Sequence, residues 1–163
     1  MAQRFYSQLD MDTFEKFSKE LVGEAVESKD GIISQEVVVY KISVRDTQTN
    51  VYGETVGGKV YKPGVKINSI IDAADQTTTT DEFGPDRVQN VSFSFLRQSL
   101  RDISFVVDVG DIVEWNEGHW EITSKNENQL VGGQTTGDYN FSVVCEAYLT
   151  RLSHLNIERV RSI

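Results

Sequence analysis

The run Asp108-Val-Gly-Asp-Ile-Val-Glu-Trp-Asn-Glu-Gly-His-Trp-Glu-Ile122 decides how the rest of the chain is read. Val113 and Trp115 share one face of a strand, and Trp120 and Ile122 share one face of the next. A two-residue turn at Glu117-Gly118, with Gly118 free to take positive φ, closes a hairpin between them. That register sets Trp115 opposite Trp120, an aromatic cross-strand pair worth roughly 0.2–1 kcal/mol over two alanines. Glu114, His119 and Glu121 then point the other way, towards water or a partner. The expectation is a hairpin in a small β domain.

Outward from the hairpin, the same period of two recurs. Phe141, Val143, Cys145, Ala147 and Leu149 alternate with Ser142, Val144, Glu146, Tyr148 and Thr150. Val91, Phe93 and Phe95 alternate with serines in Asn90–Leu96, and Val65, Ile67, Ser69 and Ile71 mark a further strand. Gln35–Arg45 is the clearest, with Val38, Tyr40, Ile42 and Val44 on one parity. Lys59–Tyr61 and Val51–Glu54 are short candidates, and Gln98–Ile103 reads as one helical turn. Strands this short, punctuated by turns, predict an antiparallel β barrel or sandwich, mainly β with a minor α component.

One substantial helix precedes the strands. Asp12 and Glu15 make a capping pair, and Phe14, Phe17, Leu21, Val22 and Ala25 recur at helical spacing, predicting a helix over 12–28. Its apolar stripe either docks on the domain's own sheet or packs into a neighbouring subunit. Residues 1–11 read as an extended arm exposing Phe5, Tyr6 and Leu9. The β region spans 34–150 and is interrupted by 72–89, a long inserted loop with Asp72, Asp75, Asp81, Glu82 and Asp86 against Arg87 alone. A loop of that length is functional or disordered, and Thr77–Thr80 also suit an extended hairpin arm. The tail 151–163 reverses the sign with Arg151, Arg159 and Arg161, and reads either as an assembly contact or as a frayed terminus.

A length of 163 residues favours one domain, 1–163, able to bury a core without staples. With 39% hydrophobic residues, 25% charged and 2 prolines, the chain is not a low-complexity one. No stretch approaches the roughly 18 apolar residues of a membrane span, and the N-terminus lacks a signal-peptide pattern. A soluble protein without membrane contact is expected. The net charge of −9 disfavours general nucleic-acid binding, which needs cations on the phosphates. An acidic wall can nevertheless enclose DNA that it repels.

The case for an enzyme is thin. His119 and His154 are the only histidines, and no nucleophile elbow, Walker loop, zincin or Rossmann motif is present. Asp108, Asp111, Glu114 and Glu117 cluster in sequence but match no EF-hand spacing, so Gly110-Asp111 reads as a turn and no metal site is assigned. The single cysteine, Cys145, lies on an apolar strand face and reads as a buried hydrophobe. Gly132-Gly133 sits between β segments rather than before a helix, the wrong context for a phosphate loop. No cofactor is expected. Separate acidic and basic patches suit head-to-tail assembly instead.

Gly110–Ile122, Asn128-Gln129-Leu130, Gly132-Gly133, Tyr139–Ser142 and the run Val144-Cys-Glu-Ala-Tyr-Leu-Thr-Arg-Leu-Ser153 together resemble neck proteins. The class is that of T-even-like contractile-tailed bacteriophages, including those of cyanobacteria, and the resemblance covers 88–158. It implies a non-enzymatic head-closure protein of the virion, a β barrel repeated as a hexameric ring around the DNA channel. Its neighbours would be a portal or adaptor protein on the head side and a tail terminator or completion protein on the other. By the same resemblance, 72–89 would reach the lumen and help retain double-stranded DNA without reading its sequence. Contacts with neighbours would fall to Phe5, Tyr6, Glu114, His119, Glu121, Arg151, Arg159 and Arg161. A tail-terminator ring and a non-viral β-barrel binding module are the competing readings.

Overall fold

The computed structural model describes residues 8–23, 31–33, 35–47, 58–81, 84–127, 141–150 and 155–156. Helix α1 (Gln8–Val22) is followed by strands β1 (Gln35–Tyr40), β2 (Lys59–Val60), β3 (Val65–Ala73), β4 (Thr77–Asp81), β5 (Gly84–Val88) and β6 (Asn90–Leu96). Then come α2 (Arg97–Asp102), β7 (Ile112–Trp115), β8 (Gly118–Asn126), β9 (Ser142–Thr150) and β10 (Leu155–Asn156). Six strands close a barrel in the order β1-β3-β6-β9-β8-β7, with β7 returning to β1 and every pairing antiparallel. The chain is therefore a mainly β protein built on a closed barrel with an N-terminal helix. Closure leaves these six strands without an open edge.

The parity expected from the sequence fills this barrel except in β1, where Val37 and Val39 point inward and the expected face of Val38, Tyr40, Ile42 and Val44 does not, Val44 being 79% exposed. Val91, Phe93 and Phe95 of β6 and Val143, Cys145 and Ala147 of β9 face inward with Val37, Val39, Ile67, Val113, Trp120 and Ile122. Leu100 of α2 and Val107 of the following connection join that core from one end. Ser69 is the polar exception inside, and its hydroxyl donates to the Ser94 carbonyl at 3.1 Å.

The hairpin at the centre of the sequence argument forms with a different turn. Asn116 and Glu117 take φ of 46° and 63°, so the two-residue loop lies one position earlier than Glu117-Gly118. Trp115 consequently pairs with Gly118, and Val113 with Trp120. The tryptophans are diagonal neighbours, with ring centroids 5.3 Å apart. Gly118 is needed for space rather than for φ: a Cβ there would lie 2.4 Å from Cη2 of Trp120.

Helix α1 begins at Gln8, inside the expected arm. Gly23, at φ 88°, closes it by donating its N–H to the Lys19 carbonyl at 2.8 Å. Residues 24–28 of the expected helix lie outside the described residues. The acidic insertion is an ordered ribbon in its described part: β4 and β5 pair from Thr77↔Val88 to Asp81↔Gly84. It continues the β3–β6 pair, where Ala73↔Val91 is the last match. Ala74, Asp75 and Gln76 then face only Gln89 and Asn90, so one extra residue bulges the strand and re-aims the ribbon.

Strand β8 runs on through Lys125 and Asn126 beyond a bulge between Ile122 and Ser124. Within the tail, β10 pairs parallel with β2.

Candidate functional site

Three surfaces bear on function, and the first departs from expectation. Glu114, His119 and Glu121 do lie on the outer wall, where His119 is buried and the two glutamates are partly exposed. The stretch Lys62–Gly64 presses on that wall so closely that a Cβ at Gly64 would meet Val38 Cγ1 at 2.4 Å. On the same wall Ile112 is fully buried and His119 is 5% exposed, with its Nε2 4.0 Å from Glu114. The Tyr40 hydroxyl donates to Glu114 at 2.6 Å. Glu121 is ion-paired with Lys59 and accepts the Tyr148 hydroxyl at 3.1 Å. Tyr61 completes the layer, and burial, followed by the charges of Glu121 and Asp111, pushes its phenol up to about 12. His119 is thus a buried member of this wall.

The second surface is a charged girdle at the barrel end where β7 begins. Asp111 has no exposed surface, and its carboxylate accepts the N–H of Ile42 at 3.0 Å and of Asp108 at 2.8 Å. Burial raises its pKa, against the lowering effect of those two bonds and of Lys41. Lys41 bridges outward to Asp108 at 2.7 Å and donates to the Val106 carbonyl at 2.6 Å. Lys125 pairs with Glu127 at 2.6 Å and lies 3.5 Å from Asp108, and Arg97 reaches Glu127 at 3.5 Å. Hydrogen bonding to Lys41 holds Asp108 below the usual carboxylate range, and Lys125 does the same for Glu127.

The carboxylates read from sequence as a possible cation cluster are therefore divided. Asp108 and Asp111 serve backbone donors and lysines, whereas Glu114 belongs to the covered wall. Among the described residues no group of three or more metal-ligating side chains gathers. Cys145 is buried in the barrel, which pushes its thiol up to about 12, so it is no nucleophile at neutral pH.

The third surface is the arm. Asp72 and Asp75 are exposed at its root, and Asp81 and Asp86 occupy β4 and β5. Glu82 lies outside the described residues, as do Phe5, Tyr6, Arg151, Arg159 and Arg161. The root is fixed by Ala74 donating to Asn90 at 3.0 Å and by Leu149 donating to Gln89 at 2.9 Å. Past Ala73 the ribbon extends roughly 25 Å at about 3.3 Å per residue.

Sequence reasoning missed how α1 is turned. Val22 is buried and Lys19 pairs with Asp102 of α2 at 3.6 Å, whereas Phe14, Phe17 and Leu21 remain 52%, 62% and 36% exposed. Phe14 packs on Phe141 at a tilt of 57°, with centroids 6.2 Å apart. The stripe itself was visible in the sequence, but its direction was not.

These features define a class by architecture: a closed six-stranded antiparallel barrel bearing one long hairpin arm and one helix with an outward apolar stripe. No protein-family model matches the chain, and no curated protein does. Among solved structures it is similar to a chain from the virion of a native gene transfer agent particle. That match covers 71% of this chain and 94% of the other, at 9% identity and a TM-score of 0.46. A likeness of that size carries no function across.

Proposed function

We propose that this chain is a non-enzymatic structural subunit of the neck of a tailed-phage virion. In this reading copies form a ring, a hexamer, between the portal or adaptor and the tail terminator or completion protein. The ring closes the head after DNA packaging and offers the tail its platform.

The arm carries the proposal. A two-stranded ribbon is marginal by itself in water, and this one extends well past the wall that anchors it. A ribbon rich in threonines and carboxylates suits a structure that reaches into a channel. Its acidity would keep duplex DNA from adhering to the lining, in line with a net charge of −9. The resemblance over 88–158 points the same way. In this reading Phe5, Tyr6 and the Arg151, Arg159 and Arg161 tail meet neighbouring proteins, while Glu114, His119 and Glu121 stiffen the wall through their mutual contacts and those with Tyr40, Lys59 and Tyr148.

Mass spectrometry of purified particles, followed by electron cryomicroscopy of the neck, tests the assignment. The expected result is a few copies of the chain per particle, forming one ring at the portal–tail junction. Absence from the particles, or a place in the shell or tail tube, would overturn it.

A further inference from the structure

Helix α1 is fastened to the barrel at few points. Among its described side chains only Val22, the last residue, is buried. Glu15, Ser18 and Lys19 are half-buried, while Phe14 and Phe17 stay more than half exposed. Val22 stands apart from the buried cluster inside the barrel, which is built from the strands, Leu100 of α2 and Val107. Across the seam run the tilted Phe14–Phe141 contact and the Lys19–Asp102 pair at 3.6 Å. That pair is partly exposed at both ends, so water and salt weaken it.

The helix has little stability of its own to add. Fifteen residues is a length at which an isolated helix is marginal in water. Thr13 and Ser18 turn their hydroxyls back to the carbonyls of Leu9 and Phe14, bonds that stay within the helix.

Its C-terminal end, by contrast, is tied to the chain that follows. Ile32 and Ile33 donate their N–H groups to the carbonyls of Glu20 and Leu21 at 3.2 and 2.9 Å. Gly31 lies so close that a Cβ there would meet the Gly23 nitrogen at 2.3 Å. Gly31–Ile33 therefore travel with the helix. Strand β1 starts at Gln35, and its ladder with β3 starts there too, at Gln35↔Ser69. The joint between the two units falls between Ile33 and Gln35.

The barrel does not need the helix to close. Its six strands pair with one another all the way round, and removing α1 takes no strand from that circuit and no side chain from the inner cluster. Regions with few buried apolar contacts open at lower free energy than the core they rest on.

We propose that α1 with Gly31–Ile33 is a detachable clamp, leaving and rejoining the barrel about the Ile33–Gln35 joint while the six strands stay closed. Opening frees Val22 and bares the side of Phe141 that Phe14 covers. Closing restores the Lys19–Asp102 pair. The device belongs to the single chain and is independent of the neck assignment.

Hydrogen–deuterium exchange of the full-length chain, read by mass spectrometry on peptides from α1, β6 and β9, tests it. The α1 amides should be protected, but by about a hundredfold less than those of β6 and β9. Val22→Ala should speed exchange in α1 about tenfold, and Lys19→Glu about two- to fivefold, with β6 and β9 unchanged. Adding Asp102→Lys to Lys19→Glu re-forms the pair with its charges exchanged and should slow α1 again, a response that a helix standing free of α2 would not give. Protection in α1 equal to that in β6 and β9 would overturn the proposal, as would a Val22→Ala variant that speeds all three alike. Exchange of the α1 amides at unstructured rates would overturn it too, because no docked state would then exist to leave.

Discussion

The Asp111 carboxylate accepts the backbone N–H of Ile42 at 3.0 Å across 69 positions of the chain, from a side chain with no exposed surface. Beyond Tyr40 the ladder between β1 and β7 stops, and this bond replaces the next rung. The second oxygen holds Asp108 N–H, so one buried side chain ties both ends of the β7 approach to β1.

Removing that tie leaves two donors without an acceptor. Asp111→Ala is expected to lower stability by about 1–3 kcal/mol. Asp111→Asn, which keeps one acceptor and sheds a charge that burial disfavours, should lose less. Urea unfolding with an unchanged m-value reads the difference. Equal midpoints for Asp111→Ala and the native chain would mean that water replaces the carboxylate.

The tryptophan hairpin gives opposed effects at adjacent positions. Gly118→Ala drives a methyl to 2.4 Å from the 3%-exposed Trp120 ring, which also packs against Phe93 and Trp115. A loss of about 1–3 kcal/mol is expected, with a changed near-ultraviolet circular dichroism signal. Glu117→Gly should instead raise the melting temperature. It relieves a left-handed residue at φ 63° and leaves Asn-Gly, the favoured two-residue turn, for a gain of about 0.5–1 kcal/mol. A Glu117→Gly variant that melts earlier would contradict this account of the turn.

These two sites also mark where sequence reading succeeds and fails. Inward parity was legible where a strand alternates apolar with polar residues, as around Phe93 and Ile67, and was misread in β1, where Val37, Val38 and Val39 follow one another without alternation and the inward residues are Val37 and Val39. The turn was misplaced because Gly118 is the obvious residue for positive φ. Its actual constraint is the bulk of Trp120, two positions away and visible only once the register is known. Asp111 looked like a turn residue because its partner, Ile42, is remote in sequence. For α1 the spacing gave the stripe but not its direction, since the barrel side is held by Val22 and the Lys19–Asp102 pair.

Alkaline pH should unfold the protein through groups that are neutral and buried. The Cys145 thiol is raised from 9.0 to about 12 and the Tyr61 phenol from 10.0 to about 12, each by burial first. For an acid raised by folding, the stabilisation is complete below its unfolded value and is lost as pH climbs through the folded one. The urea midpoint should therefore fall between pH 9 and 12, by up to about 1.4 kcal/mol per pH unit for each group. Cys145→Ala should flatten the early part of that fall. An unchanged alkaline profile would remove the thiol from the explanation.

Deleting the ribbon separates folding from function. With residues 76–88 replaced by two glycines, β3 and β6 still pair from Ser69↔Phe95 to Ala73↔Val91, and the side chains of the inner core are retained. The barrel should melt within a few degrees of the full chain. If the arm helps retain the genome, particles carrying the deletion assemble and attach tails but lose DNA, which a nuclease-protection assay measures. Replacing Asp72, Asp75, Asp81, Glu82 and Asp86 by Asn or Gln keeps the ribbon and removes its repulsion, so DNA should be held yet ejected more slowly. Full retention by the deleted form would end the plug role while leaving the ring untouched.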